Sequence, residues 1–312
     1  MSKMNTTVTK EFLLLGFQIY YYFKAPLFIL FLTVYIITII GNLLIIVLVW
    51  TYNNLNCPMY IFMSNLSFSD MMFTTNVVPN MLSTLVTDKH SISVDGCIAQ
   101  FYFYGTLGST ECFLLTVMSY DRYLAICYPL NYLCIMDTKL QKYLLVACWV
   151  ASFTVTLFPV VLMYQLHFCG PNVIDHFFCD LAPILALSCS DTSAIKAETM
   201  VSSIFVVLLP FLFIISSYTR IILSILQIPS TQGRQKTFST CSAHLLVVCT
   251  YFLTIITVYS NQKEYSSTIN KIRSLLYVVL TPMFNPMIYA LRNKEIQSTF
   301  HKLLIHVKMK IL

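Results

Sequence analysis

Asp121 and Arg122 stand side by side near the end of an apolar run that opens at Val94. An adjacent acid and base at a membrane–water boundary satisfy each other, and whatever separates them frees a basic side chain. That is the chemistry of a switch. Glu111 lies eleven residues earlier, about 20° off the same helical face and roughly 16 Å away. Gly108 and Tyr104 continue the stripe. One helix thus carries a floor for a ligand, a buried carboxylate and a boundary pair along one line. The plainer alternative is a helix end decorated with charges.

A second polar group sits at membrane depth. Asp70 lies inside the second apolar run, Asn42 follows Gly41 in the first, and Asn285 lies between Pro282 and Pro286 in the last. Asp70 and Glu111 are each costly alone in hydrocarbon, so they are expected to face each other or to share a cation such as Na⁺. The competing arrangement is two protonated acids hydrogen-bonded to Asn42, Ser67 or Asn285. Enzyme chemistry has no support: the chain lacks a His/Cys metal cluster, a phosphate-cradling glycine loop and a nucleophile elbow.

The elements that position these residues follow from composition. The chain is 57% hydrophobic and 10% charged, with a mean hydropathy of +0.74, whereas a soluble domain carries about 25% charged residues. Seven long apolar stretches read as membrane spans: Pro26–Trp50, Pro58–Val86, Val94–Tyr128, Leu140–Tyr164, Ala197–Gln227, Thr237–Ser260 and Ile272–Leu291. The expected fold is an all-α seven-transmembrane helix bundle. Residues 1–24 read as an extracellular tail, 25–291 as the seven-helix domain, and 292–312 as a cytoplasmic tail. No cleavable signal peptide is read, so the first span serves as its own insertion signal. With the N-terminus outside, basic residues favour the inner side, though the loop Thr51–Cys57 has none. They are scattered without a stacking platform, which argues against a nucleic-acid partner.

Asn5-Thr6-Thr7 is a glycosylation sequon in the outer tail. Cys97, Cys169, Cys179 and Cys189 fall on the oxidising side, which points to two disulfides with three possible connectivities. The remaining seven cysteines read as buried thiols. The third inner loop is expected over 228–235. Lys294–Lys310, with Ile296, Phe300, Leu303 and Leu304 among polar residues, reads as a short amphipathic helix on the inner surface.

These strings together resemble an olfactory receptor of the rhodopsin-like G-protein-coupled class. The resemblance covers nearly the whole chain. It rests on Gly41-Asn42, Pro58-Met-Tyr-Ile-Phe-Met63, Met118–Cys127, His176-Phe-Phe-Cys-Asp180, Ser217-Tyr218, Lys236–Leu245 and Pro282–Asn293. It implies disulfides Cys97–Cys179 and Cys169–Cys189, and a sodium site at Asp70 and Glu111. It also implies a G-protein-coupling switch built on Asp121, Arg122, Tyr123, Tyr218, Lys236, Asn285 and Tyr289, in which Arg122 meets the G protein and Tyr218 and Tyr289 support the open form. The implied partner is a heterotrimeric G protein with an olfactory-type stimulatory Gα, raising cyclic AMP in the plasma membrane of sensory cilia. One departure is Tyr251-Phe-Leu-Thr254, where the family often has Phe-Tyr-Gly-Thr. The missing glycine is expected to put Leu253 into the bundle.

The expected ligand pocket lies between spans three, five, six and seven. Its lining is Tyr104, Gly105, Gly108, Ser109, Ser202, Val206, Phe252, Ile255, Tyr259, Leu275 and Val278. This set is mostly apolar with a few hydroxyls and no fixed charge, which suits a small, mainly hydrophobic molecule. No cofactor beyond the possible Na⁺ is expected. The rivals are a receptor of the same build for a non-volatile metabolite and an ion-coupled transporter, the latter opposed by the lack of internal repeats.

Overall fold

The computed structural model describes residues 10–18, 20–87, 89–169, 171–259 and 268–311. Seven long helices form the bundle: α1 (Tyr21–Thr51), α2 (Pro58–Thr87), α3 (Val94–Cys127), α4 (Thr138–Met163), α5 (Ser193–Leu226), α6 (Thr231–Tyr259) and α7. The last runs from Thr268–Leu275 through a wider π-helical turn, Leu276–Leu280, into Thr281–Arg292. An eighth helix, α8 (Lys294–Ile311), follows at once. Neighbours α1 and α2, α2 and α3, and α6 and α7 pack together, and α1 closes the ring on α7. α3 is the central rod, touching α2, α4, α5 and α6.

Four of these helices, α1, α4, α5 and α7, are apolar enough over their length to cross a bilayer by composition alone. The polar residues of α2 and α3 turn inward instead, where Asp70, Glu111 and Asp121 are almost fully buried. A helix shielded by its neighbours can carry groups that lipid would not tolerate.

Two π turns precede prolines. Ile204–Leu208 lies just before Pro210, and Leu276–Leu280 just before Pro282. A proline has no N–H for the carbonyl one turn back, so the ladder loosens there. Pro286 likewise leaves the Pro282 carbonyl without its helical donor. Asn42 of α1 fills that gap, donating from Nδ2 over 3.0 Å.

The polar tail expected before the first span holds a strand. β1 (Glu11–Leu14) pairs antiparallel with β2 (His90–Ser93) and parallel with β3 (Val173–Ile174). Alternation decides its orientation: Phe12 and Leu14 are buried while Glu11 is exposed. Beneath the sheet lies a separate apolar core that includes Phe12, Leu14, Ile98, Phe101, Met163 and Ile184. Cys97 pairs with Cys179 (Cα–Cα 5.4 Å) and Cys169 with Cys189 (6.0 Å), tying the long loop to the start of α3 and to itself. This lid closes one end of the bundle. Asn5 lies outside the described residues.

Three expectations need correction. The sixth helix starts at Thr231, so most of 228–235 is helix and not loop. Ser230 caps it by accepting from the Gly233 N–H at 2.9 Å. These first turns are polar, so an apolar count misses them. Leu253 does not enter the bundle: it is 64% exposed, while Tyr251 and Phe252 point inward. Of the seven unpaired cysteines only Cys112, Cys148 and Cys241 are buried, and Cys134 and Cys249 are exposed.

Candidate functional site

The central rod carries three polar stations. At the end away from the sheet, Asp121 is held twice. Arg122 lies 3.5 Å from its Oδ2, and Tyr132 donates to its Oδ1 over 2.8 Å. Tyr132 sits on a short helix, Tyr132–Ile135, beyond the end of α3. Nothing in the periodicity marks this residue, because its partner lies across a turn. The Arg122 Nε is buried without a hydrogen-bond partner, so the guanidinium is only partly satisfied. Tyr123 has its hydroxyl 3.5 Å from that of Tyr128.

Arg122 lines a cavity of about 600 Å³ together with Tyr60, His244, Tyr289, Arg292 and Glu295. His244 of α6 and Tyr218 of α5 share a buried hydrogen bond of 2.6 Å. The Tyr289 hydroxyl is buried and has no partner. Tyr60 donates to Glu295 over 2.7 Å, and Asn293 caps α8 through the N–H groups of Glu295 and Ile296. The cavity is therefore framed by α2, α3, α6, α7 and α8. The side chain of Lys236 lies outside the described residues.

The middle station is the carboxylate pair. Asn285 donates to both oxygens of Asp70, at 3.2 and 3.0 Å, and Glu111 is buried close enough to interact with Asp70. Two oxygens nearby, Glu111 Oε1 and Asn285 Oδ1, are buried with no donor. A cluster of oxygen ligands lacking donors suits a hard cation such as Na⁺. Among the described residues no group of three His, Cys, Asp or Glu converges, so a cation here would rely on amide and hydroxyl oxygens as well.

Above it the stripe reaches Gly108 and Tyr104. Tyr251 donates to the Gly108 carbonyl over 2.6 Å, and the Tyr277 hydroxyl lies 3.4 Å from that of Tyr251. Phe73, Tyr104, Phe178 and Tyr277 form a connected ring cluster with centroids 5.0–6.1 Å apart. Of the expected lining residues, Tyr104, Phe252, Ile255 and Val278 share one buried apolar core, with Val206 and Leu275 packed against it. Gly105 turns toward Thr156 of α4, and Ser109 bonds back to the Gly105 carbonyl. Ser202 donates to Glu198. The side chain of Tyr259 lies outside the described residues. Glu198 stands one turn before Ser202 on α5 and is not among the expected lining residues. It escaped the sequence reading because it lies near the start of the helix, where a carboxylate passes as a solvated end.

The lid above is clamped by Lys271 of α7. Its Nζ donates to the Gly16 carbonyl over 2.9 Å and pairs with Asp175. Gly16 has φ +60°, and a Cβ there would collide with the Thr84 side chain, so only glycine fits. His176 is buried between Phe177 and Phe178, each 4.6 Å away. Burial, and then Lys271, push its imidazole down to about 3.

The arrangement is that of a seven-helix bundle around a central rod. Squid rhodopsin has the same fold, with a TM-score of 0.74 at 16% identity, covering 93% of this chain and 88% of that one. The chain belongs to the olfactory receptor family: residues 31–307 match the family profile described as Olfactory receptor. It is 45% identical to human (Homo sapiens) olfactory receptor 11A1 over 96% of this chain and 95% of that one. It is 42% identical to olfactory receptor 1468 of Rattus norvegicus over 99% of each. Membership implies a multi-pass plasma-membrane protein with a small-molecule ligand and a G-protein partner, and not an enzyme.

Proposed function

We propose that this chain is an odorant-sensing receptor. It takes a small, mainly hydrophobic molecule between α3, α5, α6 and α7 and signals through an olfactory-type stimulatory Gα to raise cyclic AMP. The N-terminus and sheet lid face outward, the Arg122 cavity faces the cytosol, and the protein serves in the cilia of olfactory sensory neurons. The observation that carries this reading is the partly satisfied Arg122, held by Asp121 and Tyr132 at the edge of a 600 Å³ cavity. A G-protein segment entering that cavity gains the guanidinium as a partner.

The ligand acts only through its preference for the open form over the closed one. Arg122 is the contact, Tyr218 and Tyr289 steady the open form, and Lys236 belongs to the same coupling set. Asp70, Glu111 and Asn285 hold a Na⁺ in the closed form. The test uses cells co-expressing the stimulatory Gα and challenged with a panel of volatile compounds. Cyclic AMP should rise with at least one compound, and no rise from a receptor present at the surface would remove the reading.

A further inference from the structure

α5 presents Glu198, Ser202 and Val206 at i, i+4 and i+8, one stripe of a helix. All three are half-buried, whereas Met200, Val201 and Phe205 are exposed on the other side. The Ser202 hydroxyl holds one carboxylate oxygen of Glu198. The other oxygen, Oε2, is buried and has no hydrogen-bond partner. Among the described residues the ion pairs are Arg122–Asp121 and Lys271–Asp175, so no cation of the described chain answers Glu198. Lys196 lies only two residues away, but about 200° round the helix, and it is exposed.

A carboxylate with one oxygen fixed and the other dry is unfavourable until a donor reaches it. The apolar core that Val206 reaches further along the stripe, with Phe211, Phe252 and Ile255, offers none. A hydroxyl would supply a donor but no charge; an ammonium supplies both, and charge-assisted bonds are the stronger kind. The apolar neighbours then require a hydrocarbon body on the same molecule.

We propose that Glu198 anchors the ligand, and that the ligands of this receptor are small aliphatic amines. The ammonium binds Glu198 Oε2 and the chain lies toward Val206 and Phe252. Ser202 is a positioning residue that fixes the rotamer of Glu198. This rests on the reading above that the ligand lies between α3, α5, α6 and α7.

The test compares hexylamine and octylamine with hexanol and octanol, on wild type, Glu198→Gln and Ser202→Ala, at matched surface expression. Two readouts are taken: cyclic AMP, and the thermal midpoint of purified receptor with each compound. The amines should act at lower concentration than the alcohols on wild type. Glu198→Gln should raise the effective amine concentration roughly ten- to a hundredfold and leave the alcohols unmoved, and Ser202→Ala should do the same more weakly. Alcohols matching amines on wild type, or Glu198→Gln weakening both series equally, would overturn the assignment. Stabilisation by amines without cyclic AMP would fault the signalling reading and keep this one. Cyclic AMP from neutral odorants with no amine effect in either readout would do the reverse.

Discussion

A methyl group at position 108 would lie 2.7 Å from the Tyr277 hydroxyl. Tyr277 cannot swing away, because Phe73, Tyr104 and Tyr251 pack around its ring. Gly108→Ala is therefore expected to lose about 1–3 kcal/mol of stability, read as a lowered thermal midpoint in detergent. Adding Tyr277→Phe removes the offending atom and should recover part of the loss. An unrescued double variant would mean that the hydroxyl is not the obstacle. The need for a small residue at 108 lay in a long-range contact between α3 and α7. The sequence shows the glycine but not the oxygen opposite. Asp70, Glu111 and Asn285 were readable because ionisable and amide groups inside apolar runs have so few places to go. Tyr132, Lys271 and Glu198 were not, because each sits where a polar residue normally meets water.

At the scale of elements, two joints can be examined. In the first, Asn42 of α1 substitutes for the N–H that Pro286 lacks. Asn42→Ala should cost about 1–3 kcal/mol by stranding the Pro282 carbonyl, again measured as thermal midpoint, and an unchanged midpoint would show that the carbonyl finds another donor. The second joint is the lid. The imidazole of His176 falls from an ordinary 6.5 to about 3 on folding. Between those values the unfolded lid binds a proton that the folded lid refuses, so stability rises with pH across that window. The lid is fully stabilised above about pH 6.5 and loosens as pH falls toward 3. Hydrogen exchange over residues 171–179, corrected for intrinsic rates, should quicken between pH 7 and pH 5, and His176→Phe should flatten that response. Equal pH dependence in both proteins would clear His176 of the effect. The helices of the bundle were legible from hydrophobic run length, except where polar turns extend them, as at the start of α6. The sheet was not: β1 is four residues long, Leu13 pairs with Val173, and Phe12 pairs with Ile92, far along the chain.

At the scale of the whole molecule, the bundle puts a sheet-covered end and an Arg122 end at opposite mouths, joined by α3. Epitope tags placed before Lys10 and beside Tyr132 should be reached from opposite faces of an intact cell, the first from outside. Accessibility of both from one face would undo the topology. The central claim is that ligand occupancy among α3, α5, α6 and α7 is read out by Arg122 at the far mouth. It is tested most directly by cyclic AMP in cells bearing wild type or Arg122→Ala at equal surface density, given a volatile compound that activates wild type. The account predicts a rise in wild type and none in Arg122→Ala; full signalling by Arg122→Ala would contradict it.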